Sequence, residues 1–222
     1  MSRFTGGDHF KPEDGLKYYI HQAMMVNELS GGKGAYKMSN AVNADSGPSF
    51  GPIQYDIGGN QNGRDLLERV TREAKDAQGS RIVSDGEIAQ MKQHLYRPFN
   101  KMSDADKQAY RHLKPKLDQA LQSSAGIRLV NEDYDKALDD KIDKVNKVIT
   151  KVTHPENKQF LQNSMQAQVF IADIRNQYGD KVNNALAQFL NQTGRDEGVK
   201  LPGQGGPARA PRAPDLEASK HL

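Results

Sequence analysis

The sequence predicts a mainly α-helical protein with a small β-hairpin or glycine-rich loop region after the first helix and a disordered C-terminal tail. Three observations predict it. Apolar residues recur at helical spacing along most of the chain. Between Lys33 and Asn62 that spacing gives way to recurrent Gly, Ser, Asn and Pro. From Leu201 onward the composition turns abruptly to Pro, Gly, Ala and Arg, which cannot bury enough apolar area to offset its ordering entropy. The expected organisation is one folded domain over residues 1–200 and a linker or disordered tail over 201–222.

The elements follow in order. Pro12 stands near the start of a helix expected to run to about Leu29, with Leu16, Ile20, Ala23, Met24 and Asn27 on one face. Ser30-Gly31-Gly32 stops it. Short strand-like patches around Tyr36, Met38, Val42, Phe50, Ile53 and Tyr55 then offer irregular loop or a small hairpin. A helix over 64–77 carries Leu66, Leu67, Val70 and Ala74. The next, over 84–95, opens with Ser84-Asp85-Gly86-Glu87, a capping box in which Ser and Glu side chains serve free backbone donors. Ser103-Asp104-Ala105-Asp106 repeats that signal for a helix over 103–113, and Pro115 is expected to start another to Ala125.

Leu138, Ile142, Val145 and Ile149 predict an amphipathic helix over 133–152, too short for a coiled coil. His154-Pro155 breaks it. The stretch 157–178, with Phe160, Leu161, Met165, Val169, Phe170, Ile171 and Ile174, is expected to be the central, most buried helix. Gly179 reads as its C-terminal cap. A final helix over 180–191 carries Val182, Leu186, Phe189 and Leu190.

Composition excludes several function classes. The 222 residues contain no cysteine, so disulfides and thiolate metal sites are absent. The six histidines lack metal-ligand spacing, and no metal or cofactor is expected. Basic and acidic residues, 31 against 28, are interspersed, which argues against a nucleic-acid partner. Mean hydropathy is −0.81 and no apolar run is long enough to span a bilayer, so no membrane insertion is expected. Phosphate-binding glycine loops and the nucleophile elbow are missing.

The informative region is Glu28 to Asn62. Glu28 falls one helical step after Met24, at the edge of the apolar stripe and the end of the first helix. Partial desolvation and the negative end of the helix dipole both favour the protonated carboxyl, which suits a general acid. A solvent-facing residue at a frayed helix end is the alternative. Downstream stands Ser49-Phe50-Gly51-Pro52-Ile53-Gln54-Tyr55-Asp56.

That segment resembles the "G-x-G-L-M-Q-x-D" type motif of goose-type lysozymes and lytic transglycosylases, in which a catalytic Glu ends a helix and a glycine-rich loop follows. The resemblance covers about 30 of the 222 residues. Leu29 separates Glu28 from Ser30, and Pro52-Ile53 stands where the family has Leu-Met, so both positions depart from its pattern.

The resemblance implies a lysozyme-like helical domain that cleaves peptidoglycan glycan strands by hydrolysis or lytic transglycosylation, with Glu28 as acid. Asp56 and Asp45 are the candidates for positioning water. Ser49, Gly51, Gln54, Tyr55 and Tyr36 are the candidates for substrate binding. Each has a plainer alternative: Asp56 as a turn aspartate, Gln54 as a structural hydrogen-bonder, Tyr36 and Tyr55 as core or surface aromatics. Phe50 is expected in the core.

No secretory signal stands within Met1–Pro12, so the expectation is a monomeric antibacterial effector or phage lysin. It would leave the producer by a dedicated secretion system or at lysis and act in the periplasm of a target cell, where an inhibitor protein is a further partner. The competing class is a non-catalytic helical interaction or structural protein of a phage or secretion system. A glycosidase acting on chitin or chitosan is a third.

Overall fold

The computed structural model describes residues 3–27, 34–39, 45–179 and 182–191. Among them it is mainly helical with one two-stranded hairpin. A 3-10 turn at Pro12–Asp14 precedes α1 (Leu16–Asn27). The hairpin strands are β1 (Ser49–Phe50) and β2 (Tyr55–Asp56). Six helices and a second 3-10 turn (Phe99–Lys101) come next: α2 (Gln61–Glu73), α3 (Asp85–Leu95), α4 (Asp104–Gln122), α5 (Ser124–Lys151), α6 (Pro155–Asn163) and α7 (Met165–Tyr178). The last described helix is α8 (Val182–Asn191). Compactness divides the chain into two units, Met1–Asp139 and Asp140–Leu222, with the boundary inside α5.

The first unit is built on burial of regular apolar stripes. Leu67 and Val70 of α2, Met91 and Leu95 of α3, and Leu113, Leu117 and Leu121 of α4 are almost fully buried. Helices α3 and α4 pair most extensively, and α2 packs on α4. Local chemistry sets where these helices begin. The Ser84 hydroxyl accepts from the Glu87 N–H while the Glu87 carboxylate accepts from the Ser84 N–H, satisfying two of the donors a helix start leaves open. Ser103 and Asp106 do the same for α4.

Burial works to raise the Glu87 carboxyl. The Lys116 ammonium and the Ser84 N–H and hydroxyl outweigh it and hold the group at about 2. This stabilisation is therefore full above pH 4.5 and is lost as pH falls from there towards 2. Ser84→Ala is expected to cost about 1 kcal/mol at neutral pH. Thermal melts should show Glu87→Gln lower at neutral pH but with a shallower decline on acidification than wild type.

Several helix boundaries differ from the sequence expectation. Gly15, at φ 62°, separates the Pro12 turn from α1, so Pro12 does not open the helix itself. The two helices expected on either side of Lys114 are one, with Pro115 inside α4. Proline there costs roughly 3 kcal/mol. Burial of Tyr110, Leu113, Leu117 and Leu121 along the same helix is worth more. Helix α5 starts at Ser124 rather than near Asp133, because Leu129 and Val130 extend the buried stripe backwards.

The stretch 157–178 is not one central helix. Ser164 caps α7 through the Ala167 N–H, and Gln168 Nε2 donates to the carbonyls of Leu161 and Gln162, so the chain breaks there at little cost. Phe170 is 58% exposed and Phe160 47%, so this stretch is not the most buried one. In the second unit Val145, Val148, Ile149, Val152, Leu161, Ile171, Val182 and Ala187 form the core. Asn191 latches it: its Oδ1 accepts from the Thr153 and His154 N–H groups, and its Nδ2 donates to the Lys151 carbonyl. The C-terminal cap expected at Gly179 is present, with φ 65° and its N–H on the Arg175 carbonyl.

Candidate functional site

In the sequence α1 leads into the first candidate residue, and the hairpin carries most of the others. Ile20 and Met24 bury the inward face of α1. His21, also buried, pairs its Nδ1 with the Tyr134 hydroxyl at 2.9 Å and lies so close to the Gly7 backbone that no side chain fits there. Burial holds this imidazole below its ordinary range, against the pull of Asp8. The helix runs to Asn27. Glu28, the residue that follows, lies outside the described residues.

The hairpin pairs Ser49 with Asp56 and Phe50 with Tyr55, antiparallel, around the turn Gly51-Pro52-Ile53-Gln54. The Gln54 N–H closes that turn on the Gly51 carbonyl at 3.1 Å. Gly51 has φ 82°, and Gln54, at φ 51°, is the one non-glycine residue with positive φ among the described residues. A non-glycine side chain in that conformation is a local strain of the kind that collects at functional positions. Gln54 is exposed at the tip.

The other motif residues have definite tasks. Gly51 is buried and its N–H donates to the Ala35 carbonyl, so its freedom serves the turn rather than an approach to sugar. The Ser49 backbone pairs with Ser39, its carbonyl accepting the Ser39 N–H at 2.7 Å and its own N–H donating to the Ser39 hydroxyl. Phe50 is in the core, as expected. Tyr36 is 2% exposed, its hydroxyl donating to Asn131 Oδ1 at 2.6 Å and accepting the Thr5 N–H. It is a core aromatic, and neither ring face is open to a sugar.

Asp56 is a clasp. Its Oδ1 accepts the N–H groups of Gly47 at 2.8 Å and Gly58 at 2.7 Å. Those two glycines touch each other, and a side chain on Gly58 would also strike the Arg97 carbonyl. Arg64 completes the lock, donating to the carbonyls of Ile57, Gly58 and Tyr96 and lying over the Tyr96 ring. Asp45 is exposed and accepts from Asn100 Nδ2 at 3.1 Å.

Asp56→Ala leaves two buried N–H donors without their acceptor, and each costs about 1–3 kcal/mol. The expected result is a clear fall in melting temperature, whereas Asp56→Asn keeps an oxygen acceptor and melts near wild type. Unchanged melting of Asp56→Ala would remove the clasp assignment.

One turn of α5 gathers these pieces. Asn131 holds Tyr36, Asp133 takes the Tyr55 hydroxyl, Tyr134 meets His21, and Asp135 pairs with Lys17 of α1 at 2.8 Å. Tyr55 is set from behind by Gly63 of α2, which lies against its Cβ with no space for a side chain. Sequence reading passed over Asp133, Asn131 and Arg64. Asn131 and Asp133 meet Tyr36 and Tyr55 across 95 and 78 residues, and Arg64 reaches Tyr96 across 32, pairings that no local pattern announces. Among the described residues no group of three or more His, Asp or Glu side chains is arranged to hold a metal ion.

Comparison with protein-family models, curated proteins and solved structures returns no match to this chain.

Proposed function

We propose that the chain cleaves the glycan strands of peptidoglycan, with Glu28 donating the proton to the leaving glycosidic oxygen. The observation that carries this reading is the hairpin. The segment that resembles the lysozyme and transglycosylase motif, Ser49 to Asp56, folds as a tight two-stranded turn with Gln54 exposed and strained at its tip. Helix α1 is described as far as Asn27, the residue before Glu28, and the described segments on either side of residues 28–33 are each tied to α5, through His21 on one side and Tyr36 on the other.

Gln54 has an amide able both to donate to and accept from the N-acetyl and hydroxyl groups of an amino sugar. The wider proposal is an antibacterial effector or phage lysin that meets its substrate in the target cell's periplasm, where an inhibitor protein would be its natural antagonist. Purified peptidoglycan incubated with wild type and with Glu28→Gln tests the reading, with soluble fragments read by mass spectrometry. Reducing ends assign a hydrolase and anhydro ends a transglycosylase. A folded wild type that releases no fragments removes the enzymatic reading.

A second reading, a helical interaction protein, draws on a different observation. Phe160, Met165, Phe170, Tyr178 and Phe189 all stand exposed on helices of the second unit. Isolated exposed aromatics are common on monomers, so this is the weaker case.

A further inference from the structure

Residues 3–10 cross the first unit without forming a helix or a strand. Phe4 and Phe10 anchor the segment. Phe4 is buried, edge-on to Tyr134 of α5 at 5.0 Å and beside Tyr36, whose hydroxyl accepts the Thr5 N–H. Phe10 packs on the His21 ring of α1 and takes the Lys17 ammonium over its face. Between the anchors the Gly7 backbone lies on the His21 ring, where a Cβ would stand 2.0 Å from Cε1 and 2.2 Å from Nε2. His21 is 6% exposed, and the Tyr134 hydroxyl at Nδ1 is its one hydrogen-bond partner among the described residues.

A neutral imidazole is compatible with that cover. An imidazolium has two N–H donors and a charge, and burial penalises both when water is kept away. The surrounding groups do not remove the penalty. Asp8 favours the cation, but it is paired with Arg3 at 2.7 Å, and His9 opposes the cation. Lys17, one turn before His21 on α1, is held by Asp135 and Asp139 of α5. Burial keeps the Tyr134 hydroxyl neutral. Lifting the Gly7 backbone is the change that returns the ring to water.

We propose that residues 3–10 form an acid-released strap, latched on α1 and α5 by the uncharged His21 and lifted when that ring takes a proton. Burial, the largest influence on the closed ring, lowers its proton affinity, so the latch holds fully above the ordinary 6.5. As pH falls from there towards the depressed value, the open form gains about tenfold per pH unit. Below the depressed value the gain levels off, because open and closed forms are then equally protonated.

Hydrogen exchange of the full chain, followed by mass spectrometry between about pH 7.5 and 5 and corrected for intrinsic rates, tests the latch. The Thr5, Asp8 and Phe10 amides are hydrogen-bonded in the closed form and report on the strap. Their protection is expected to fall about tenfold per pH unit below the ordinary histidine value, while peptides of α3 and α4 keep theirs. His21→Gln has no proton to gain in this range and should flatten the dependence. His9→Gln should retain it.

Strap protection that stays constant in wild type overturns the proposal. So does an equal fall in His21→Gln, or a dependence that disappears in His9→Gln. A fall shared by α3 and α4 overturns it as well, since the whole unit then opens together. Should His21→Gln fail to fold, the imidazole proton signals of wild type decide. Titration of His21 below 6.5 in step with strap exchange supports the latch, and titration at or above that value overturns it.

Discussion

Glu28→Gln is expected to lower peptidoglycan cleavage about 10²–10⁴-fold, the contribution a positioned general acid makes. In barrier height that is roughly 3–5 kcal/mol. The substitution keeps the shape and hydrogen-bonding reach of the side chain but removes the transferable proton, so substrate affinity should change far less than turnover. In the sequence the residue directly follows α1, whose inward face, through Ile20, His21 and Met24, is buried. Initial rates of fragment release over a range of substrate concentrations separate kcat from KM. A rate within a few-fold of wild type would remove Glu28 from the reaction.

The largest expected loss of stability lies away from the site. Helices α4 and α5 are joined through Ser123 alone, and Gly126, in the first turn of α5, lies directly on the carbonyls that end α4. A Cβ at Gly126 would stand 2.2 Å from the Ala120 carbonyl oxygen and 2.6 Å from that of Leu121. Both obstacles are backbone, so no side chain can swing aside. Ser123 Oγ fixes the same junction, accepting the Gly126 N–H at 3.1 Å and donating to the Ala120 carbonyl.

Gly126→Ala is therefore expected to cost at or above the top of the roughly 1–3 kcal/mol range for overpacking, despite alanine's better helix propensity. For a chain of this size that lowers the melting temperature by roughly 6–12 °C. The same shift in α5 would displace Asn131, Asp133 and Tyr134, so activity should fall with stability. Ser124→Ala, at an exposed neighbouring position, provides the comparison and should melt near wild type. A Gly126→Ala variant as stable as wild type would mean that the two helices do not meet this closely.

Much of the architecture is legible in the sequence because its causes are local. Ser84 with Glu87 and Ser103 with Asp106 start helices through side chains three residues from the backbone they cap. The glycine and proline punctuation around Phe50 and Tyr55 marks the hairpin. Where the reading failed, a distant or competing contact was responsible. Pro115 looks like a helix start, yet the buried leucines around it carry α4 straight through. Phe160 and Phe170 look like core, yet the break at Ser164 and the packing of Leu161 and Ile171 leave both outside. Gln54 stands out in the motif, but nothing in its identity announces a positive φ.

For the candidate site the division is sharper. By itself the sequence determined the helical class, the place of the hairpin, and the order in which Glu28 and the Gln54 motif follow one another. Only the tertiary structure decided what each side chain is engaged with. It buried Tyr36 against Asn131, closed Asp56 on Gly47 and Gly58, and brought Asp133 to Tyr55 from 78 residues away. The physical reason is that helices and turns arise from interactions within a few residues. Whether a carboxylate clasps backbone or remains open to a ligand depends instead on which remote segments exclude water around it.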